Sequence, residues 1–336
     1  MGERGLLGAF AVAVLALTAL ANGGAAAEGV NRIRGLDPAI ADRILALAPD
    51  RISDADVRDT LAHVSAPRIY LLQGSVALVT MTPFAEFLVA MGYPDERLRD
   101  PRNGGYSRSS FADSARIAGE LAWHYEHDGM MPMLIGHSQG GMLAIRVLYE
   151  LAGEFHREIE VRDPMSGVAQ ARTSIRDPWT GAARPVVGLK VGYATALATG
   201  KTMRVLLGQW SMLSRLRTLP DTVDEFTGFT IPGDPLAGGL WDDEPYRAAG
   251  SARVRNVTLP PSYSHVGLPL VQHLPANETT RRWIDAYVPD PSPPLPSAEH
   301  GVDVSNLLHA ADIWHSVKKH WCLEAQRAIR AARSLS

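Results

Sequence analysis

The sequence predicts an α/β fold: a mostly parallel central sheet with helices on both faces, a hairpin or lid excursion and an extra C-terminal helix. Three observations carry it. Short apolar runs alternate with helical patterns, as expected of parallel strands joined by crossover helices. One of those runs leads straight into a glycine-rich turn and a further helical pattern. The composition, 46% hydrophobic and 21% charged over 336 residues, is that of a chain able to bury a large core.

The N-terminus carries Arg4, an uncharged run over 6–21 and the small-residue stretch Gly23-Gly24-Ala25-Ala26-Ala27. That order reads as a signal peptide over 1–27, cleaved after Ala27, and so as an exported protein, periplasmic or secreted. A membrane anchor is the alternative, although the run is short for a span of about 20 residues. No later segment is apolar for long enough to cross a bilayer, so no stable membrane span is expected in the mature form.

Residues 28–67 read as an N-terminal helical arm, with Ile40, Ile44, Leu45 and Leu47 at helical spacing and Pro38 just inside a start. The core is expected over 68–288. Arg68-Ile69-Tyr70-Leu71-Leu72 reads as a buried strand ended by Gly74, and 83–91 as a helix opened by Pro83 and stopped by Gly92 and Pro94. Ser110 is expected to cap the next helix, with Phe111, Ile117 and Leu121 facing inward and Gly129 at its end. A strand over 131–135 and a helix over 142–151 follow.

Residues 159–185 break the alternation with a near-repeat, Arg162-Asp-Pro-Met-Ser-Gly167 and Arg176-Asp-Pro-Trp-Thr-Gly181. Asp-Pro-x-x-Gly suits a tight turn, so two hairpin-like turns are expected here. Strands are expected over 185–191, 226–231 and 254–259, and a helix over 202–217. The last segment, 289–336, is a Pro-rich linker and a helix over 310–332, expected to pack on the outside of the domain.

A formal net charge of −3 with scattered Lys and Arg gives no concentrated basic face, so no nucleic-acid partner is expected. Cys322 is the only cysteine, which excludes an intrachain disulfide, and its helical setting reads as a packed thiol. No pair of histidines has zinc-site spacing, and no metal is expected. His124 and His127 read as the solvated end of a helix, and His137 as a packing residue.

The chemistry centres on Gly136-His137-Ser138-Gln139-Gly140-Gly141. Gly-x-Ser-x-Gly alone is weak evidence, but here it lies between an apolar strand and a helix. There a strained turn raises a serine hydroxyl above a sheet edge, which makes Ser138 the candidate nucleophile.

With that motif and the order of elements from Arg68 to about His273, the chain resembles the α/β-hydrolase family. The resemblance implies a catalytic Ser-His-Asp triad in the chain order serine, acid, histidine. The acid falls on Asp234, just past the strand over 226–231, with Asp242 and Asp243 as further candidates. The histidine falls on His265, just past the strand over 254–259, while His273 lies deeper in the following stretch. Oxyanion donors fall on the amides of Gln139 and Ser75. Gln73 stands where many members have a histidine.

The resemblance implies an esterase or lipase-like serine hydrolase, cleaving carboxylic esters of small-molecule or lipid-like substrates through an acyl-enzyme with no cofactor. An acyltransferase with the same triad and a catalytically silent binding protein remain alternatives. The excursion, with Met165 and Trp179 at its turns, and the apolar stretch 205–216 form either a lid for acyl chains or core and surface filler.

Overall fold

The computed structural model describes residues 28–335 apart from 77, 202–203, 206, 239–243, 291–295 and 297–300. The signal-peptide reading of 1–27 lies outside the described residues, as do Asp242 and Asp243. Strands follow in chain order as β1 (Ile69–Leu72), β2 (Ser107–Arg108), β3 (Met133–His137), β4 (Ser174–Arg176), β5 (Ala183–Pro185), β6 (Val191–Leu197), β7 (Thr218–Leu219), β8 (Val223–Thr230), β9 (Arg247–Ala248) and β10 (Arg253–Thr258). Helices are α1 (Glu28–Arg34), α2 (Pro38–Ala46), α3 (Asp54–Asp59), α4 (Thr82–Ala90), α5 (Ser114–Asp128), α6 (Gln139–Leu151), α7 (Glu278–Ala286) and α8 (Leu307–Ser334).

Six strands make one parallel sheet in the order β10-β8-β6-β3-β1-β2. Helices cover both faces, so β1, β3 and β6 are buried throughout rather than alternating with polar residues. Successive side chains point to opposite faces. Ile69, Leu71, Ile135 and Tyr193 join one core with the N-terminal arm, α4 and α8, while Tyr70, Leu72, Leu134 and Ala194 join a second with α5 and α6.

The arm is three short helices. Asp37 caps α2 through Ala39 N, Pro49 follows its end, and Ser53 restarts the chain with a reciprocal cap to Asp56. Asp113, and not Ser110, caps α5, which leaves Phe111 65% exposed instead of in the core. The strand expected over 185–191 instead begins at Val191, because Pro185 closes the β4-β5 hairpin and Gly188 turns at φ 94°. β6 is rich in Gly and Ala, which hid it from a search for β-branched runs. Those small residues are required: a Cβ on Gly141 of α6 would already meet Ala196 Cβ at 3.0 Å. The helix expected over 202–217 is interrupted at Gly208, where φ is 66°.

The C-terminal helix does not pack on the outside. Leu307–Ser334 buries Trp314, Val317 and Trp321 completely, together with polar His309, Asp312 and Lys318. It lies under α1, α2 and α7, against β6. Two of its buried charges are paired: Asp312 with Arg255 at 2.7 Å and Lys318 with Asp285 at 2.8 Å. No helix among the described residues is long and apolar enough to cross a membrane.

Candidate active site

From β1 the chain moves outward to β2 at the sheet edge, then returns past β1 to β3 and continues through β6, β8 and β10. The direction of travel therefore reverses between β1 and β3. The carboxyl ends of those two strands bound the crevice in which open α/β sheets bind ligands. Gly74 and Ser138 stand at these two ends.

β3 delivers Ser138 directly onto α6, and the turn is tight because the helix starts against β1. A Cβ at Gly140 would stand 2.0 Å from Leu72 O, and one at Gly136 2.4 Å from Gly140 O. Ser138 is driven to φ 52°, a conformation that costs a side-chain-bearing residue on the order of 1–3 kcal/mol. The surroundings hold it there. Ser138 N donates to Leu197 O at 2.7 Å, and Thr199 Oγ1 donates to Ser138 O at 2.8 Å. Ser138 lines a cavity of about 110 Å³ with Gly74, Ser75, His137 and His265, and with the half-exposed apolar side chains of Val76, Leu236 and Val266.

Parallel pairing of β8 and β10 brings the loops after them to the same end of the sheet. Asp234 and His265 meet there, with His265 Nδ1 2.6 Å from Asp234 Oδ2. Asp234 Oδ1 accepts from Leu236 N at 2.9 Å and Ala237 N at 3.3 Å. Burial alone would raise the Asp234 carboxyl, but the His265 hydrogen bond, its charge and the two backbone donors hold it below the usual carboxylate range. An ionised carboxylate at Nδ1 favours the tautomer with its proton there, leaving Nε2 of the neutral ring as the basic nitrogen. Ser138 Oγ and His265 make no direct hydrogen bond among the described residues, although they share the cavity. Such contacts are often long in ligand-free sites and tighten when substrate binds.

Gln139 opens α6, and the first N–H groups of a helix have no acceptor within it. Ser75 lines the opposite wall of the cavity. Between them they offer backbone amides from both strands of the crevice. Gln73 turns away to the edge strand: its Oε1 accepts from Ser107 Oγ at 2.8 Å. Ser110, expected as a helix cap, instead donates from Oγ to Gly74 O at 3.1 Å and so steadies the loop after β1.

Other sequence expectations separate from the site. The excursion forms its two turns, with Gly167 and Gly181 at φ 72° and 70°, but it is no lid. It runs along α5, where Arg162 N donates to Gly119 O at 3.2 Å and Trp179 Nε1 to Gly129 O at 2.9 Å. Met165 and Trp179 do not line the Ser138 cavity. The segment that does reach the site is the one after β6, through Thr199 on the elbow carbonyl. His273 hydrogen-bonds Ser305 Oγ at 3.1 Å, outside the cavity. His124 is buried, not solvated, and burial pushes its imidazole down to about 3, while half-buried His127 stacks on Trp123 at 3.6 Å. Cys322 is buried and free, its thiol pushed up to about 12.

Three residues escaped the sequence reading. His137 is not only packing: its Nε2 donates to His265 O at 2.8 Å. Asn306 Nδ2 donates to Gly267 O at 2.8 Å, and His309 Nε2 to Leu268 O at 2.8 Å. A histidine inside the elbow motif was the only available signal for the first; the other two lie some forty residues beyond His265 with none. Among the described residues no group of three His, Cys, Asp or Glu could hold a metal ion. The chain matches no protein-family model, no curated protein and no solved structure.

Proposed function

We propose that this chain is a serine hydrolase of the α/β-hydrolase type that cleaves carboxylic esters. The observation that carries the reading is the meeting, at one crevice, of a strained Ser138 with the His265 and Asp234 pair bonded at 2.6 Å. In this reading His265 Nε2 takes the Ser138 proton as Oγ attacks the ester carbonyl. The amides of Gln139 and Ser75 receive the oxyanion, and protonated His265 gives its proton to the departing alcohol. Water, activated by the same nitrogen, releases the acid from Ser138.

Val76, Leu236 and Val266 give the mouth an apolar rim, which favours an acyl group over a charged one. The expected test result is covalent labelling by a fluorophosphonate probe and turnover of p-nitrophenyl butyrate, both lost in Ser138→Ala. A protein that neither labels nor turns over short and medium p-nitrophenyl esters is not a serine hydrolase.

A further inference from the structure

Three side chains distant in sequence from the loop carrying His265 donate to three of its carbonyls. His137, on the elbow, takes His265 O; Asn306, at the start of α8, takes Gly267 O; His309, one turn later, takes Leu268 O, each at 2.8 Å. Asn306 Nδ2 also reaches Leu270 O at 3.3 Å. The loop has little regular structure of its own, only the short turn His265–Gly267. Its own bonds, Gly267 N to Ser264 O at 3.0 Å and Leu270 N to Gly267 O at 2.9 Å, close only short turns, and the side-chain donors tie those turns to the rest of the protein.

We propose that His137, Asn306 and His309 form a carbonyl clamp that positions His265 over Ser138, so that α8 is part of the active-site machinery. The proposal rests on the serine-hydrolase reading for its catalytic consequence only. Asp234 orients the imidazole through Nδ1, which fixes the ring but not the backbone that bears it. The clamp fixes the backbone. An imidazole shifted by about 1 Å costs on the order of 10²-fold in rate.

The donors suit the task. Burial pushes His137 down to about 3, aided by neighbouring His265, and His309 down to about 4. Both rings thus stay neutral, so neither repels His265 when it becomes cationic in the cycle. With Nε2 donating, the Nδ1 atoms of both rings are buried without partners, which marks the orientation as chosen for the carbonyl. Asn306 sits at φ 56°, a conformation asparagine tolerates well.

The test uses the full chain in four variants. His309→Phe keeps an aromatic ring among Phe84, Phe229 and Tyr263 but removes the donor, and His309→Gln restores an amide near the Nε2 position. His137→Phe does the same on the elbow, and Asn306→Gly keeps the positive φ while removing the donor. The expected result on p-nitrophenyl butyrate is a 10- to 100-fold lower kcat with KM within threefold for both Phe variants. Asn306→Gly is expected to lose less, and His309→Gln to recover to within threefold of wild type.

The second readout needs no activity: the His265 imidazole is followed by NMR of the protein labelled at histidine. Its resonances are expected to shift in both Phe variants and to return in His309→Gln. Unchanged His265 resonances in folded Phe variants, or wild-type rates in them, overturn the clamp. A wild-type protein that fails to label with fluorophosphonate, while the variants still shift His265, overturns the hydrolase reading and leaves the clamp standing.

Discussion

The turn 136–141 and the loop 263–270 face each other across one cavity and are held by different means. The turn is held by exclusion. Gly136, Gly140 and Gly141 leave no room for a side chain against β1, β6 or the turn itself, and the backbone has one way to pass. The loop is held by recruitment, its carbonyls captured by residues from the elbow and from α8. The first kind of constraint rests largely on the backbone of neighbouring elements, Leu72 O and Gly140 O among it, which few substitutions alter. The second rests on single side chains, each removable by one substitution, so it is the more easily loosened.

The largest expected effect lies on the turn. Ser138→Ala should lower kcat by about 10⁶ and abolish fluorophosphonate labelling, with an unchanged circular dichroism spectrum. Retained labelling would place the nucleophile elsewhere. Next comes the acid that serves the loop. Asp234→Asn preserves volume but frees the imidazole to take the wrong tautomer, and kcat should fall by about 10⁴ with little change in binding. Asp242→Asn and Asp243→Asn should stay within tenfold of wild type in kcat/KM; the opposite pattern moves the acid to that segment.

Gly74 lies against the turn at His137, the residue that also donates to the loop. A Cβ there would stand 3.1 Å from His137 Nδ1 and 3.4 Å from Ser138 Cβ, so the elbow must give by a few tenths of an ångström. Gly74→Ala should reduce kcat roughly 10- to 100-fold, as a small misplacement of reacting groups does. A wild-type rate would mean that the turn is softer than its glycines suggest.

Acid should loosen the recruited side, through His137 and His309, and with it α5, through His124. His124, His137 and His309 are held neutral by burial, down to about 3, 3 and 4. Below the ordinary histidine value of about 6.5 the unfolded chain binds protons that the folded one does not. Stability from these groups is therefore full above pH 6.5 and declines as pH falls towards 4, by about 1.4 kcal/mol per pH unit for each. The urea midpoint should drop between pH 7 and pH 5, with a slope reduced by one proton in His309→Gln. A flat midpoint would show that these rings are solvated. The smallest effect concerns no contact at all: exported protein should begin at Glu28, and N-terminal sequencing that finds Met1 would favour an anchor.

The same contrast explains what could be read in advance. β1 and α4 were legible because an apolar run between turn residues carries its own signal, whereas β8 and β10 are more polar and stand out only by their β-branched and aromatic residues. The elbow was legible too, since its glycines and serine are contiguous. Asp234 and His265 were found by element order, and the structure brings them together. β6 was displaced because its small residues answer to the close approach of α6, which is a packing demand without periodicity. Whether the excursion is a lid or filler was not legible, because two exposed-looking turns do not reveal which helix they lie along. Asn306 and His309 were invisible, since polar residues on a helix read as surface until its depth is known. α8 hides its charges in pairs such as Arg255 with Asp312.

That the final helix is an inner element has a bearing on how the protein is made. Synthesis runs from the N-terminus, and domains fold as their parts emerge. Residues 136–141, Asp234 and His265 are all synthesised before α8, and until Asn306 and His309 arrive the Gly267 and Leu268 carbonyls lack their side-chain donors. A chain truncated before α8 would carry Ser138, Asp234 and His265 and still lack two of the three donors to the His265 loop. Under the proposed clamp, alignment of His265 would wait on the synthesis of α8.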